Sequence, residues 1–263
     1  ILGILATTMS AGSMTIFQFA YNIQFFPVGI IGISFAIAAF PALSEKIEQN
    51  DQSAFLQILL STARQTVYLL APITILFLVL RSQLVRVAVG AGKFDWTSTI
   101  ATSYTLAFFA LTFIPQALIY LLARGYFAMK DTTTPLVTGA VSAVIGVLVA
   151  LLLLNSFGVT ALAMGYSVSA LVQTVLLLVL LRQRIGPLKG IKILSFLYKV
   201  TVACLVSAVV MQTVKPIIVS LISLDTFFGV LAQGLTAGGL GLIAYLVVGK
   251  ILDKCRELGI SED

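Results

Sequence analysis

Thr132-Thr-Thr-Pro-Leu-Val-Thr-Gly-Ala-Val-Ser-Ala-Val-Ile-Gly-Val-Leu-Val-Ala-Leu-Leu-Leu-Leu-Asn-Ser-Phe-Gly-Val-Thr-Ala-Leu-Ala-Met-Gly-Tyr-Ser-Val-Ser-Ala-Leu-Val-Gln-Thr-Val-Leu-Leu-Leu-Val-Leu-Leu181 runs for fifty residues without one charged side chain. About 20 apolar residues carry a helix across the hydrocarbon core of a bilayer, so this stretch holds two crossings. Asn155-Ser-Phe-Gly158, near its middle, supplies a tight turn between them. Ile1–Ser44, Trp96–Ala123 and Thr226–Gly249 are also uncharged. Transmembrane β-strands would read as alternating segments of about 10 residues, and none are present.

Composition agrees. Of 263 residues, 59% are apolar and 10% charged, with a mean hydropathy of +1.09. A soluble domain carries about 25% charged residues, which is what covering its surface requires. The fold class is therefore all-α, a polytopic transmembrane helix bundle. The net charge of +6 does not point to nucleic acid. The few Lys and Arg residues sit at the ends of apolar runs, where they orient spans in the membrane.

Charges, prolines and turn residues divide the chain into about seven complete spans plus the end of a severed one. Ile1–Met9 is the severed end, and upstream spans are expected to be missing. Complete spans follow at about Met14–Ala42, Ala54–Val87, Trp96–Leu122, Leu136–Leu154, Val159–Leu181, Ile193–Val214 and Phe227–Leu252. Polar connections are expected at Glu45–Gln52, Val89–Asp95, Arg124–Thr134 and Arg182–Lys192, and one containing Pro216.

Counting cations in alternate loops gives an orientation. Lys46, Arg124, Lys130, Arg182, Arg184, Lys189, Lys192, Lys250, Lys254 and Arg256 fall on one side, ten in all; Arg81, Arg86, Lys93 and Lys215 fall on the other. The richer side is expected to face the cytoplasm, which places the C-terminus there too.

No enzyme constellation is visible: no catalytic residues, no metal-ligand spacing and no phosphate loop are assigned, and no cofactor is expected. The chain has no histidine, and Cys204 and Cys255 lack metal-site spacing. Three successive spans carry internal prolines, Pro27, Pro72 and Pro115. Each removes a backbone bond, and bent helices can line a cavity. Gly234 and Gly238, with Gly241 nearby, and more weakly Ala161 and Gly165, have the spacing that lets helices approach closely. Arg64 lies about three turns into its helix, either snorkelling to headgroups or meeting an anion in a cavity. Asn22 and Gln24, beside Pro27, either bond between helices or touch a polar headgroup.

Three stretches resemble the lipid II flippase family, within the superfamily of multidrug and polysaccharide exporters. They are Phe19-Ala-Tyr-Asn-Ile-Gln-Phe-Phe-Pro-Val-Gly-Ile-Ile-Gly-Ile-Ser with Phe40-Pro-Ala-Leu-Ser44, then Val89-Gly-Ala-Gly-Lys-Phe-Asp95, then Ala123-Arg-Gly-Tyr-Phe-Ala-Met-Lys-Asp-Thr-Thr-Thr-Pro135. The resemblance implies fourteen helices in two lobes with both termini cytoplasmic. Residues 1–182 would be the C-terminal lobe, from the end of helix 7 to helix 12. Residues 183–252 would be helices 13 and 14, a pair forming a groove for a lipid tail, and 253–263 a cytoplasmic tail.

The implied function is movement of the undecaprenyl-linked peptidoglycan precursor from the inner to the outer leaflet of the bacterial cytoplasmic membrane. A cationic cavity would hold the headgroup. Implied partners are a polyprenyl-linked glycan lipid, membrane lipids and the missing N-terminal lobe. Candidate substrate contacts are Asn22, Gln24, Arg64, Arg124 and Lys130. The sequence departs from the family at Asn22, where an arginine often stands five residues before the proline, and at uncharged Tyr21 and Phe25. The alternatives are a flippase for another polyprenyl-linked polysaccharide and a substrate-free membrane scaffold.

Overall fold

Apolar periodicity without interior charge leaves the backbone one way to satisfy its polar groups in lipid, which is to bond them within helices. The computed structural model describes residues 2–7, 9, 12–89, 96–186, 191–220 and 226–257, and these contain helices and turns with no strand. In chain order the helices are α1 (Leu2–Thr7), α2 (Ser13–Pro27), a π-helical segment (Val28–Ile33), α3 (Ser34–Glu48), α4 (Gln52–Val79) and α5 (Arg81–Val89). Then come α6 (Trp96–Ala110), α7 (Phe113–Ala128), α8 (Thr133–Phe157), α9 (Thr160–Ile185), α10 (Ile191–Val219) and α11 (Phe227–Glu257).

Among the described residues six helices are long and apolar enough to cross a membrane; α6 and α7, bent by 42°, make seven when taken as one span. That is the number of complete spans expected. The window of α8 has a mean hydropathy of 2.6, yet only 22% of it is buried. Its Leu136 and Leu152 are 73% and 80% exposed. In water such a face would associate; in lipid it matches its solvent.

Several boundaries differ from expectation. The Glu45–Gln52 loop shrinks to three residues, because α3 continues to Glu48 and α4 starts at Gln52. Asp51 makes that early start possible by accepting the Ala54 N–H (2.9 Å) and the Ser53 hydroxyl (2.8 Å) at Oδ1, a side-chain cap on free helix donors. Pro216 lies within α10, not in a connection. Of the expected loops, residues 90–95 and 187–190 lie outside the described residues, as do 258–263 of the tail; residues 253–257 continue α11.

The chain forms two units. The first comprises residues 1–70 and 96–188. Its core joins α3, the first half of α4, α7 and α9 through Leu43, Phe55, Leu59, Leu122, Tyr126 and Leu177. A methyl added at Gly32 would lie 2.6 Å from the Ala117 Cβ, so the π segment and α7 touch where neither has bulk. The α8–α9 hairpin is similarly tight: a methyl at Gly146 would lie 2.7 Å from the Gly165 carbonyl oxygen. Gly158 turns this hairpin at φ 54 and donates to the Leu154 carbonyl, a left-handed ending suited to glycine.

The second unit comprises residues 71–95 and 189–263. Here α10 and α11 pack together, as expected of the last two spans, but not through Gly234 and Gly238. Their close approach is at Gly241, where Met211 leaves no room for a methyl and the Ser207 hydroxyl donates to the Gly241 carbonyl at 2.8 Å. Gly238 instead faces Leu76 of α4 and Leu80 at the break after it, and Gly234 faces Gln83 of α5. The spacing signalled close packing correctly; one sequence could not say against which helix.

Candidate functional site

The three prolines behave differently. Directly after Pro27 the helix widens into the π segment, so its carbonyls bond one residue further along. Pro115 has no N–H for the Leu111 carbonyl, and the α6–α7 break falls at Leu111–Thr112. Pro72 leaves α4 unbroken from Gln52 to Val79; the interruption comes at Leu80 instead.

Hydroxyls hold the α6–α7 bend from both sides. Ser167 of α9 donates to the Phe108 carbonyl at 2.8 Å, and Thr174, two turns on, donates to the Pro115 carbonyl at 3.1 Å. The Thr112 hydroxyl lies 2.6 Å from the Phe109 carbonyl and 3.2 Å from the Gln24 Oε1. Bent spans expose carbonyls, and here short polar side chains from the neighbouring helix occupy them. Around the same level Tyr21, Phe109 and Tyr166 meet edge to face with centroids 5.5–5.9 Å apart, and Phe17 stacks on Tyr21 at 6.2 Å.

The expected contact residues do not gather into one cluster. Gln24 is 1% exposed and engaged with Thr112, so its amide joins α2 to the bend. Asn22, two residues earlier, is exposed. Arg124 is half-buried in the last turns of α7, its guanidinium over the rings of Phe40 (5.6 Å) and Phe127 (6.0 Å). Lys130 is exposed in the α7–α8 connection at φ 60, a left-handed conformation. No hydrogen bond or ring contact links Asn22, Arg64, Arg124 and Lys130 to one another among the described residues.

Arg64 has the most distinctive setting. It lies twelve residues beyond Gln52, about 18 Å along α4 at 1.5 Å per residue. On the helical wheel it lies opposite Phe55, Leu59, Thr66 and Leu70, the face buried in the unit's core. The residue is half-buried, and its Nε is fully buried with no hydrogen-bond partner. A guanidinium so placed can serve an anion with its remaining N–H groups.

One network escaped the sequence reading. Asp131 accepts the N–H groups of Thr133 and Thr134 at 3.0 Å each and both their hydroxyls, capping α8. Arg184 at the end of α9 pairs with it at 2.5 Å and lies over the Tyr126 ring at 5.9 Å, while the Tyr126 hydroxyl donates to the Leu177 carbonyl. The Thr134 hydroxyl and N–H, then Thr133 and Arg184, hold the Asp131 carboxyl well below the usual carboxylate range. The Asp-Thr-Thr-Thr-Pro string was the available signal, since Asp before a first-turn proline marks a helix start.

Six long apolar helices among the described residues, or seven with the bent α6–α7 pair taken as one span, define a multi-pass helical membrane protein. The lipid II flippase MurJ family model matches residues 1–231, and the chain belongs to that family. It is 26% identical over 166 residues to a probable lipid II flippase MurJ of Rhizobium meliloti, covering 63% of this chain and 31% of that protein. It is 24% identical over 232 residues to one of Buchnera aphidicola, covering 87% and 45%. A solved lipid II flippase MurJ in an inward closed conformation superimposes with a TM-score of 0.73 at 20% identity, over 95% of this chain and 48% of that one. The chain thus spans less than half the length of these relatives.

Proposed function

We propose that this chain is the C-terminal part of a flippase moving a polyprenyl-linked peptidoglycan precursor, lipid II, from the inner to the outer leaflet of the bacterial cytoplasmic membrane. Residues 1–182 form its C-terminal lobe, 183–252 two added spans, and 253–263 a cytoplasmic tail. It acts as a transporter and carries out no covalent chemistry. Family membership supports the substrate class, and Arg64 is the observation that carries the site.

A cation at the centre of a membrane helix costs about 2.5–3.5 kcal/mol on insertion scales. α4 has 28 residues and is about 42 Å long, some 12 Å more than the hydrocarbon core. Even with that whole excess on the Gln52 side, Arg64 lies about 6 Å inside the core. An anion such as a pyrophosphate offsets the cost, and guanidinium grips phosphate oxygens by two parallel bonds. Arg124 and Lys130, at the cytoplasmic ends of the spans, would gather the headgroup before it reaches Arg64. Gln24 keeps α2 on the α6–α7 bend, and Asn22 contributes an exposed amide.

Asn22 also favours a second reading, a different polyprenyl-linked glycan as substrate, because a neutral amide replaces a frequent family arginine. Complementation with the full-length protein tests the site. Arg64→Ala should abolish transport, and Arg64→Lys should keep the charge but lose most activity. Full activity of Arg64→Ala would reduce this residue to a headgroup anchor.

A further inference from the structure

Two irregular spans lie side by side in the first unit, and their irregular points are tied together. α2 packs on α6, and α3 packs on α7. In one span the π segment follows Pro27; in the other the break at Leu111–Thr112 precedes Pro115. The Thr112 hydroxyl lies 3.2 Å from Gln24 Oε1, and both residues are buried. The π segment starts four residues beyond Gln24, so the two irregular points differ in level by about 6 Å, roughly one turn. Just below, Gly32 of the π segment meets Ala117 of α7 with no side-chain bulk between them. Each point already lacks a helical bond, because Pro27 cannot donate to the Ile23 carbonyl, nor Pro115 to that of Leu111. A change of angle there costs less than in an unbroken helix, where it would leave a buried backbone pair unmade.

The two sides of this line are held unequally. On the α3–α7 side, Leu43, Phe55, Leu122, Tyr126 and Leu177 belong to one buried core shared with α4 and α9. Thr174 of α9 donates to the Pro115 carbonyl there, and Tyr126 to that of Leu177. On the α2–α6 side, Tyr166 of α9 stands edge-on to Tyr21 and Phe109, and the Thr105 hydroxyl lies 3.4 Å from that of Thr160. The Ser167 hydroxyl adds its bond to the Phe108 carbonyl. These contacts can shift without opening the core. α9 itself runs unbroken from Thr160 to Ile185. It is a straight edge against which the bend is set, with Ser167 on one side of the break and Thr174 on the other.

We propose that the π segment and the α6–α7 break form one hinge inside this unit. On it α2 and α6 tilt together against the body of α3, α7 and α9, and the Ser167–Phe108 bond is the catch that holds the 42° bend. The motion is internal to the unit and independent of which lipid is carried. Ile100 of α6 lies about 17 Å from the break, so complete straightening would carry it about 12 Å.

The test is double electron–electron resonance on the 263-residue chain in lipid nanodiscs, spin-labelled in a background lacking Cys204 and Cys255. Ile100→Cys with Val179→Cys crosses the hinge on one span, and Thr15→Cys with Val179→Cys crosses it on the other. Leu152→Cys with Val179→Cys stays within the α8–α9 hairpin; all four positions are exposed. Both crossing pairs should show a second distance several ångströms from the first, in the same proportion, and the hairpin pair a single one. Ser167→Ala should raise the second population about fivefold relative to the first in both crossing pairs, the factor for one net hydrogen bond. Thr174→Ala, on the body side of the break, should leave the proportion unchanged. A single distance in the crossing pairs with and without Ser167, an equal response to Thr174→Ala, or a shift in one crossing pair without the other would each overturn the proposal.

Discussion

At the scale of single residues, polar groups in this chain close helix ends, tie one helix to another or sit where lipid makes them costly. Asp131 is of the first kind. Its carboxylate takes four hydrogen bonds from Thr133 and Thr134 and one ion pair from Arg184. Because its pKa is lowered in the folded state, it contributes stability above the unfolded value of about 3.9 and loses it as pH falls through the lower folded value. Asp131→Ala should lower stability at pH 7 by about 1–2 kcal/mol, mostly from the lost cap, since Arg184 is half exposed and its pair weak. Thermal melts in detergent at pH 7 and pH 5 should show the same gap between parent and variant, and the gap should narrow only below about pH 4. A gap that closes between pH 7 and pH 5 would rule out a depressed carboxylate.

At the scale of elements, glycines set how closely helices approach, and they are not equivalent. Gly165 abuts the Gly146 carbonyl and Ala150 across the α8–α9 hairpin, where backbone cannot yield. Gly239 faces open space. Gly165→Leu should therefore destabilise the protein by several kcal/mol, as overpacked and displaced cores do. Gly239→Ala should be neutral or stabilising by at most about 1 kcal/mol through helix propensity. Thermal unfolding in detergent compares them, and equal losses would refute the assigned packing.

The same contrast shows what the sequence made legible. The number and class of the spans followed from uncharged runs such as 132–181, because lipid imposes one rule on every residue in it. The partner of Gly238 did not follow, because spacing marks a flat helix face without naming its neighbour. The Leu80 break, the π segment after Pro27 and the bond from the Thr112 hydroxyl to Gln24 Oε1 also escaped. The last joins residues 88 positions apart, which no local pattern reports. Of the expected contact residues, Arg64 stood out because a mid-helix cation is rare in lipid, whereas Gln24 looked the same whether it bonded a helix or a headgroup.

At the scale of the whole molecule, the placement of cations orients the chain in the membrane. Ten of fourteen counted loop cations fall on one side, so the Glu45, Arg124 and Arg182 connections and the C-terminal tail should be cytoplasmic. In a background lacking Cys204 and Cys255, Gly92→Cys should label from outside intact cells and Leu188→Cys should not. The opposite pattern would invert the topology.

Transport by alternating access requires one half of the protein to rock against another around a shared site, and this chain spans under half the length of the relatives cited above. The proposed function therefore carries a strict requirement for a second lobe. The direct measurement is leaflet exchange of a fluorescent polyprenyl-linked glycan in liposomes, with the 263-residue chain alone and with the upstream half of the flippase co-expressed. Exchange only in the combined preparation, abolished by Arg64→Ala, is the result this account predicts. Exchange by the chain alone above that of protein-free liposomes, or none in either preparation, would contradict it.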